Sequence, residues 1–227
     1  MSDKIAESST LTEKPFQREA AEEANRTIAK VPGGTGLLSD PELGAEILDK
    51  YQESEELKAE NVRDPLTGAF NRRFFDRQLE NKLQSGQKIS LIMMDVDHFK
   101  EFNDTYGHRN GDRLLIELVR TLSTRLRLTR LNGEKDFIAR YGGEEFAIIL
   151  SNVNDPNIAK NVAENLRQMV ANLRFNVDDE TKVEKTISMG VAVSKDGDTP
   201  EDLVVRADKA LYMAKDNGRN RVEAAPV

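Results

Sequence analysis

Acidic residues stand beside short apolar runs at two places in this sequence. Asp95 ends one such run, and Glu144 and Glu145 follow the Gly-Gly pair at 142–143, which joins two more. Two apolar runs joined by Gly-Gly predict a tight β-hairpin, because glycine accepts the positive φ that the turn needs. Converging carboxylates repel each other unless a cation lies between them, and their hard oxygen atoms suit Mg²⁺. Mg²⁺ held this way keeps positions for substrate phosphates, which is the arrangement used in phosphoryl and nucleotidyl transfer.

The elements that must position these acids alternate between helices and strands. Helices are predicted at about 72–84, at 98–127 with interruptions at Gly107 and Gly111, along an apolar face from Ile158 to Leu173, and from Pro200, with Thr199 as N-cap, to Gly218. Strands are predicted at 89–94, on both sides of the Gly-Gly turn, at 187–193 and near 221–222. This order indicates an α+β fold, with a sheet containing antiparallel strands flanked by helices around a β-α-β-β-α-β core. In such a sheet the first strand lies beside the hairpin, so we expect Asp95 to approach Glu144 and Glu145.

Composition restricts the class of protein. The chain has 227 residues, of which 38% are hydrophobic and 32% charged, and its formal net charge is -7. This acidic balance argues against a nucleic-acid binder or a protein of anionic membrane surfaces. The absence of cysteine excludes disulfides, thiolate metal sites and a cysteine nucleophile. There is no signal-peptide pattern and no apolar run long enough to span a bilayer, so we expect a cytoplasmic protein without membrane insertion.

Residues 1–61 precede the predicted compact domain at 62–227. The segment 1–40 is polar and is predicted to be largely disordered, and its stretch 33–36, Gly-Gly-Thr-Gly, lacks the Gly-Lys-Ser/Thr ending of a phosphate loop. The segment 41–61 is predicted to be a helical linker, either a dimerisation helix or a solvated connector. These segments are too short for an ordinary sensor domain. Regulation could therefore come from this helix, from an N-terminal protein partner, or from expression level alone.

Several spaced motifs resemble those of the GGDEF-domain diguanylate cyclases. They are Asp64-Pro65-Leu66-Thr67-Gly68 with Asn71-Arg72, Asp95-Val96-Asp97-His98-Phe99-Lys100, Asn103-Asp104-Thr105-Tyr106-Gly107-His108, Gly111-Asp112, Arg140-Tyr141-Gly142-Gly143-Glu144-Glu145-Phe146, and the stretch from Ala207 to Asn220. The resemblance covers about residues 62–223, with the signature in its Gly-Gly-Glu-Glu-Phe form. It implies a ferredoxin-like, nucleotidyl-cyclase palm. It also implies a nucleotidyltransferase of the 2.7.7 type, which condenses two GTP into cyclic di-GMP with loss of two pyrophosphates.

The resemblance assigns a metal site to the acids. Asp95, Glu144 and the backbone carbonyl of Val96 would bind Mg²⁺ or Mn²⁺, with two ions per active site. Glu145 would either support the metal site or help to deprotonate the 3′-hydroxyl, and the sequence leaves these two roles open. Asp97 resembles the family's second aspartate, but we expect it to have a structural role such as helix capping.

The resemblance also assigns residues to the GTP substrate. These are Asn103 and Asp112 at the guanine, Lys100, Lys215 and Arg219 at the triphosphate, and Phe99, Gly142 and Gly143 beside the nucleotide. An aspartate can accept both hydrogens of the guanine N1–H and N2–H₂ edge, and adenine has no such pair. Two alternatives remain open, because Asp112 could also be a helix N-cap and Lys215 could simply complement a helix dipole.

The chain departs from the family at the site where many members bind the dimeric product and are inhibited by it. Of the usual Arg-x-x-Asp motif only Asp136 remains, because Gly133 stands at the arginine position, and a second arginine would fall near Asn165. Glycine cannot replace the bidentate grip of arginine on a phosphate. We therefore expect a degenerate inhibitory site with weak or absent product inhibition, and the sequence leaves open a rescue by Arg130 or Arg167.

The number of substrates bears on the oligomeric state. One catalytic domain would hold one GTP, whereas the product contains two, so catalysis needs two domains facing each other, most simply in a two-fold homodimer. The alternative is a catalytically silent signalling module that binds GTP or a protein partner. The intact acids and glycines of the hairpin favour an active enzyme over that alternative.

Overall fold

The computed structural model describes residues 62–126 and 136–226. The predictions for residues 1–61, and those that concern Arg130 and Gly133, lie outside the described residues. Within the two described ranges no helix combines the length and the apolar character needed to cross a membrane.

Helices and strands alternate through the described ranges. The helices are α1 (Arg72–Gln84), α2 (Phe99–Tyr106), α3 (His108–Ser123), α4 (Pro156–Ala171) and α5 (Pro200–Asp216). The strands are β1 (Phe70–Asn71), β2 (Ile89–Val96), β3 (Phe137–Gly142), β4 (Glu145–Ser151), β5 (Arg174–Asn176), β6 (Lys182–Glu184), β7 (Ile187–Val193) and β8 (Val222–Ala224). The sequence predictions do not include β1 or the β5–β6 hairpin.

The main sheet has the order β1-β3-β4-β2-β7-β8, and β5 pairs only with β6. The four central strands β3, β4, β2 and β7 run antiparallel, whereas β1 and β8 add parallel edges. The chain therefore builds a β-α-β-β-α-β core with the first strand inside the sheet. The predicted α+β fold of a ferredoxin-like palm is confirmed.

Strand β2 is mostly apolar and almost completely buried, because helices cover both faces of the sheet. Ile92 and Met94 belong to the core that also contains Leu118 of α3 and Leu166 of α4. Met93 belongs to the opposite core, with Phe75 of α1 and with residues of α5. Since alternate residues of a strand point to opposite faces, the odd-numbered Asp95 lies on the face covered by α1 and α5.

Two details of the helices differ from the predictions. Gly111 lies inside α3 and does not interrupt it, and the break falls at Gly107, whose φ is +81°. Ile158 is not on the buried face of α4, since 53% of it is exposed. One residue of helix corresponds to a rotation of about 100°, which turns Ile158 away from the stripe that is buried. That stripe is Ala159, Ala163, Leu166 and Val170.

A bidentate ion pair ties the start of α5 to the sheet. Arg206 donates to Asp198 Oδ1 at 2.8 Å and Oδ2 at 2.6 Å, and to the Val193 carbonyl at 3.0 Å. The hydrogen bond from Arg206 lowers the pKa of Asp198 below its ordinary value of 3.8. A carboxyl whose pKa is lowered by folding stabilises the fold above its unfolded pKa, and this contribution is lost as the pH falls through its folded pKa.

We predict that Arg206→Gln lowers the free energy of unfolding by about 1–3 kcal/mol at neutral pH. The loss should be smaller near pH 3, because the contribution of the pair starts to decline once the pH falls below the unfolded pKa of the aspartate, about 3.8. Urea unfolding of both proteins at the two pH values measures this difference. Lys209→Ala, on the exposed side of the same helix, is the control and should change stability by less than about 0.5 kcal/mol. A deficit of equal size at both pH values would contradict the prediction.

Candidate active site

Asp95 and Glu145 lie opposite each other on neighbouring strands. The antiparallel register pairs Asp95 of β2 with Glu145 of β4 on one side and with Ser188 of β7 on the other. Cross-strand partners point to the same face of a sheet. Glu144 occupies the turn just before Glu145. The topology thus brings the two acidic segments together at one end of the sheet.

Lys215 reaches these acids from the last turn of α5. Its Nζ lies 2.8 Å from Asp95 Oδ2, and the Asp95 side chain is only 13% exposed. Burial raises the pKa of Asp95, Lys215 lowers it, and the charges of Glu144 and Asp97 raise it again. Burial also raises the pKa of Glu145, and Asp95 adds to that effect. The folded chain therefore disfavours the charged form of both carboxyls, and a bound cation would relieve this.

The donor set fits a hard divalent cation. Asp95, Glu144 and the carbonyl of Val96 offer only oxygen, which suits Mg²⁺ or Mn²⁺. In the part of the chain that the structure describes, no three acidic or histidine side chains converge into a complete cage. A cation held by one or two carboxylates, with its remaining positions filled by water and substrate phosphates, agrees with both observations.

Gly190 of β7 lets α5 lie directly on the sheet. A Cβ atom at this position would lie 2.1 Å from the backbone nitrogen of Leu211 and 2.2 Å from the carbonyl oxygen of Ala207. This close approach sets the height at which α5 presents Lys215 to the strand ends. Gly190 is not among the site residues predicted from the sequence, although a single glycine inside an apolar strand is a known sign of close backbone approach.

Asp208 is a second residue of the site that the sequence analysis did not single out. It precedes Lys215 by two turns of α5, so both lie on one side of the helix. Partial burial raises the pKa of Asp208, and Lys215 lowers it. Asp208 also contributes to the raised pKa of Glu145, for which burial and Asp95 are larger causes. Lys215 therefore neutralises several carboxylates at once.

Arg140 holds the turn that carries Glu144. Its Nε donates to the Gly143 carbonyl at 2.8 Å, and its guanidinium donates to both oxygens of Asp64 at 3.2 Å. Asp64 also accepts from the backbone and hydroxyl groups of Thr67 at 2.8 and 2.6 Å. Burial alone would raise the pKa of Asp64, but Thr67 and Arg140 outweigh it and lower the pKa. The first turn of the domain thus supports the hairpin, where Gly143 adopts a φ of +55°.

We expect Asp64→Ala to lower the free energy of unfolding by about 2–3 kcal/mol, because it leaves Arg140 and Thr67 without a partly buried acceptor. Chemical denaturation measures this loss. The matched control is Asp76→Ala, which removes an exposed carboxylate 3.9 Å from Arg72 and should cost less than about 0.5 kcal/mol. Equal losses in the two variants would show that Asp64 does not support the turn.

Asp97 has a structural role, but the prediction that it caps a helix is wrong. Its side chain is buried and accepts from Thr186 Oγ1 at 2.7 Å, Ser188 Oγ at 2.7 Å and the Asn220 backbone nitrogen at 3.0 Å. The residue before α2 is His98, with a φ of 54° and no capping side chain. Asp97 instead ties the exit of β2 to β7 and to the segment after α5.

The two candidate guanine residues lie on α2 and α3, on either side of the break at Gly107. Asn103 has a buried Oδ1 atom without a hydrogen-bond partner in the structure. Asp112 is exposed, and the N-cap of α3 is Gly107, so Asp112 is not a helix N-cap. The Asn103 oxygen without a hydrogen-bond partner and the exposed carboxylate of Asp112 are both groups that can bind a ligand.

The candidate phosphate residues come from the ends of two helices. Lys100 is exposed in the first turn of α2, behind the partly buried Phe99. Arg219 follows α5 with a φ of 62°. The next residue, Asn220, donates its backbone N–H to Asp97 at 3.0 Å, which brings the segment of Arg219 to the exit of β2, just before α2. Lys100 and Arg219 therefore belong to neighbouring segments.

The residues of the predicted inhibitory site lie apart from the acids. Asp136 is buried and accepts from the Ser151 backbone nitrogen at 2.9 Å. It lines a cavity together with Asn165, and none of the acidic-site residues lines that cavity. Arg167 donates to Glu164 at 2.9 Å and also donates to the side-chain oxygen of Asn220, which follows α5.

Comparison with known proteins identifies the family. The model of the GGDEF domain, described as a diguanylate cyclase domain, matches residues 61–221. The chain belongs to the GGDEF family. The diguanylate cyclase VdcA of Vibrio cholerae is 41% identical over 163 residues, which cover 70% of this chain and 45% of VdcA. This chain therefore spans less than half the length of that relative.

Solved GGDEF structures agree with the fold. The GGDEF domain of DgcB from Caulobacter crescentus, in complex with c-di-GMP, has a TM-score of 0.65 at 34% identity, covering 72% of this chain and 95% of that one. The diguanylate cyclase SiaD from Pseudomonas aeruginosa, in complex with its activator SiaC, has a TM-score of 0.68 at 36% identity, covering 92% and 80%.

Proposed function

We propose that this protein is a diguanylate cyclase that converts two GTP into cyclic di-GMP and two pyrophosphates. The observation that carries the proposal is the register that sets Asp95 opposite Glu145, beside Glu144 and 2.8 Å from the Lys215 ammonium. Two carboxylates on neighbouring strands, one of them partly buried, with an ammonium group beside them are suited to phosphoryl chemistry. Relatives such as VdcA carry the name of this activity.

In the proposed reaction, the 3′-hydroxyl of one GTP attacks the α-phosphate of the other. The new phosphodiester bond replaces the bond to pyrophosphate, and the hydroxyl proton leaves. A second, symmetric attack closes the ring. Glu145 would take the proton or support the metal site. Lys100, Lys215 and Arg219 bind the triphosphate and stabilise the charge that develops on the leaving pyrophosphate.

The metal site of the proposal consists of Asp95, Glu144 and the Val96 carbonyl. Two bound Mg²⁺ or Mn²⁺ ions would acidify the attacking hydroxyl and neutralise charge on the leaving group. Without nucleotide, Lys215 partly balances the charge of Asp95. At the other end of the substrate, the amide of Asn103 and the exposed carboxylate of Asp112 would read the guanine edge.

Two copies of the chain are required by this reaction, because each domain binds one GTP. A mixing experiment tests both the activity and the pairing. Wild type mixed with an excess of Glu144→Gln forms mixed dimers with one intact site, so each can form at most one of the two bonds. We expect cyclic di-GMP to fall below the level given by simple dilution, with a linear dinucleotide accumulating. A yield of cyclic di-GMP equal to that expected from dilution alone would argue against catalysis by pairs of domains.

A silent module that binds GTP or a protein is the competing function. Wild-type protein that binds GTP but yields no dinucleotide at any concentration would favour it. A protein partner at residues 1–61 remains part of the proposal, in line with the activator that is bound to SiaD. Because GTP is a cytoplasmic substrate, the proposed location is the cytoplasm.

Product inhibition is predicted to be weak or absent. The carboxylate of Asp136 is buried and already engaged by Ser151, and the arginine position of the motif is Gly133. Titration calorimetry with cyclic di-GMP should therefore detect no tight binding at this site, and added product should not slow the reaction. Tight binding that is lost on substitution of Asp136 would contradict this, provided that the variant is shown to be folded.

A further inference from the structure

Gly111 of α3 lies directly against the side chain of Asn103. A Cβ atom at position 111 would lie 1.9 Å from Asn103 Oδ1, 3.0 Å from its Cγ and 3.2 Å from Phe99 Cζ. The first of these distances is impossible for real atoms. Any side chain at position 111 would therefore displace the amide of Asn103.

No hydrogen bond accounts for the position of that amide oxygen. Asn103 Oδ1 is buried and has no partner in the structure. Buried acceptors without a partner are rare and costly. The space left by Gly111 therefore decides where the amide lies.

The backbone gives no reason for glycine at position 111. Gly111 is not among the residues with positive φ, and it lies within α3. In the interior of a helix glycine is less favourable than alanine, because it loses more conformational freedom on folding. The glycine thus weakens the helix locally, and its one evident steric role is to make room for Asn103 and, to a lesser degree, Phe99.

We propose that Gly111 is a positioning residue that sets the Asn103 amide for recognition of guanine. It acts through Asn103 and does not itself touch the nucleotide. The neighbouring Asp112 supplies a carboxylate from the same turn of α3, so two consecutive positions would serve the base in different ways. This inference rests on the proposed function, since it requires that Asn103 reads guanine.

The test is Gly111→Ala in the full-length protein, titrated with GDP and with IDP in the presence of Mg²⁺. The unpaired Asn103 Oδ1 is an acceptor, so in this proposal it accepts the 2-amino hydrogen that Asp112 leaves free. IDP lacks the 2-amino group and therefore cannot make the Asn103 contact. We expect the melting temperature to stay level or rise, because the displaced atoms belong to the end of a flexible side chain and alanine favours the helix. We expect GDP affinity to fall about tenfold with little change for IDP, because the net contribution of a single hydrogen bond is of that order.

A double-mutant cycle with Asn103→Ala separates positioning from general damage. Asn103→Ala alone should reproduce the loss for GDP, and adding Gly111→Ala should cause no further loss, because the displaced amide is already absent. A further loss in the double variant would overturn the inference and indicate that Phe99 or the helix transmits the effect.

Nucleotide binding by wild type and by Gly111→Ala separates the role of Gly111 from guanine recognition by Asn103. Wild type that prefers GDP over IDP, together with Gly111→Ala that binds both nucleotides as wild type does, overturns the role of Gly111 alone. Wild type that does not distinguish GDP from IDP overturns guanine recognition by Asn103, and the role of Gly111 with it.

Discussion

Replacement of Asp95 by asparagine is expected to lower the rate of cyclic di-GMP formation by about a thousandfold or more, equivalent to about 4 kcal/mol of transition-state stabilisation. Asparagine has nearly the same shape, so the change removes charge and little else. The loss of that charge weakens the proposed cation site and leaves the Lys215 ammonium without its partner at 2.8 Å. Initial rates at saturating GTP and Mg²⁺ measure the effect.

The Asp95→Asn variant should be about as stable as wild type, or more stable. Burial raises the pKa of Asp95, and the nearby Glu144 and Asp97 charges add to this, so the fold disfavours the ionised side chain despite Lys215. A neutral isostere removes that cost at neutral pH. Urea unfolding without Mg²⁺ should therefore give a free energy within about 1 kcal/mol of wild type or above it. Lost activity with a large loss of stability would instead make Asp95 a structural residue.

Asp97→Ala, unlike Asp95→Asn, is expected to lower the free energy of unfolding, by about 3–5 kcal/mol. The Asp97 side chain is 2% exposed and accepts from Thr186, Ser188 and the backbone of Asn220. Removing this buried acceptor leaves all of these donors without their partner. Because Asn220 follows Arg219, the affinity for GTP should also fall. Urea unfolding and nucleotide titration measure the two effects.

Asp196→Ala is the matched control for this second prediction. The Asp196 side chain is 95% exposed and pairs with Lys88 at the surface, so its loss should cost less than about 0.5 kcal/mol. If Asp97→Ala and Asp196→Ala unfold at the same urea concentration, the network around Asp97 does not hold the exit of β2.

The features that could be predicted from the sequence are those with a strong local signal. The Gly-Gly turn between apolar runs predicts the β3–β4 hairpin, and β-α-β-β topology then places Asp95 beside it. Thr199 is the N-cap of α5 and Pro200 its first residue, as the sequence predicts. Each of these depends on residues close together in the chain or on a rule of strand order.

The features that could not be predicted depend on contacts between distant segments. Asp97 meets Thr186 and Asn220, which lie about 90 and 120 positions later, and no local pattern reveals this network. Glycine has a low helix propensity, so the sequence favours a break at Gly111. In the structure Gly111 instead lies inside α3, where the absence of a side chain makes room for Asn103. The role of Gly190 likewise depends on a distant segment, because it is the backbone of α5 that leaves no space for a side chain at this position.

The central claim is that the hairpin acids and Asp95 form a catalytic centre for the joining of two GTP. Its most direct test is incubation of purified full-length protein with GTP and Mg²⁺, over a wide range of protein concentrations, followed by chromatography of the nucleotides. We predict cyclic di-GMP and pyrophosphate from wild type, and neither from a folded Glu144→Ala variant. Wild type that yields no cyclic dinucleotide at any concentration, or Glu144→Ala that yields as much as wild type, would contradict the claim.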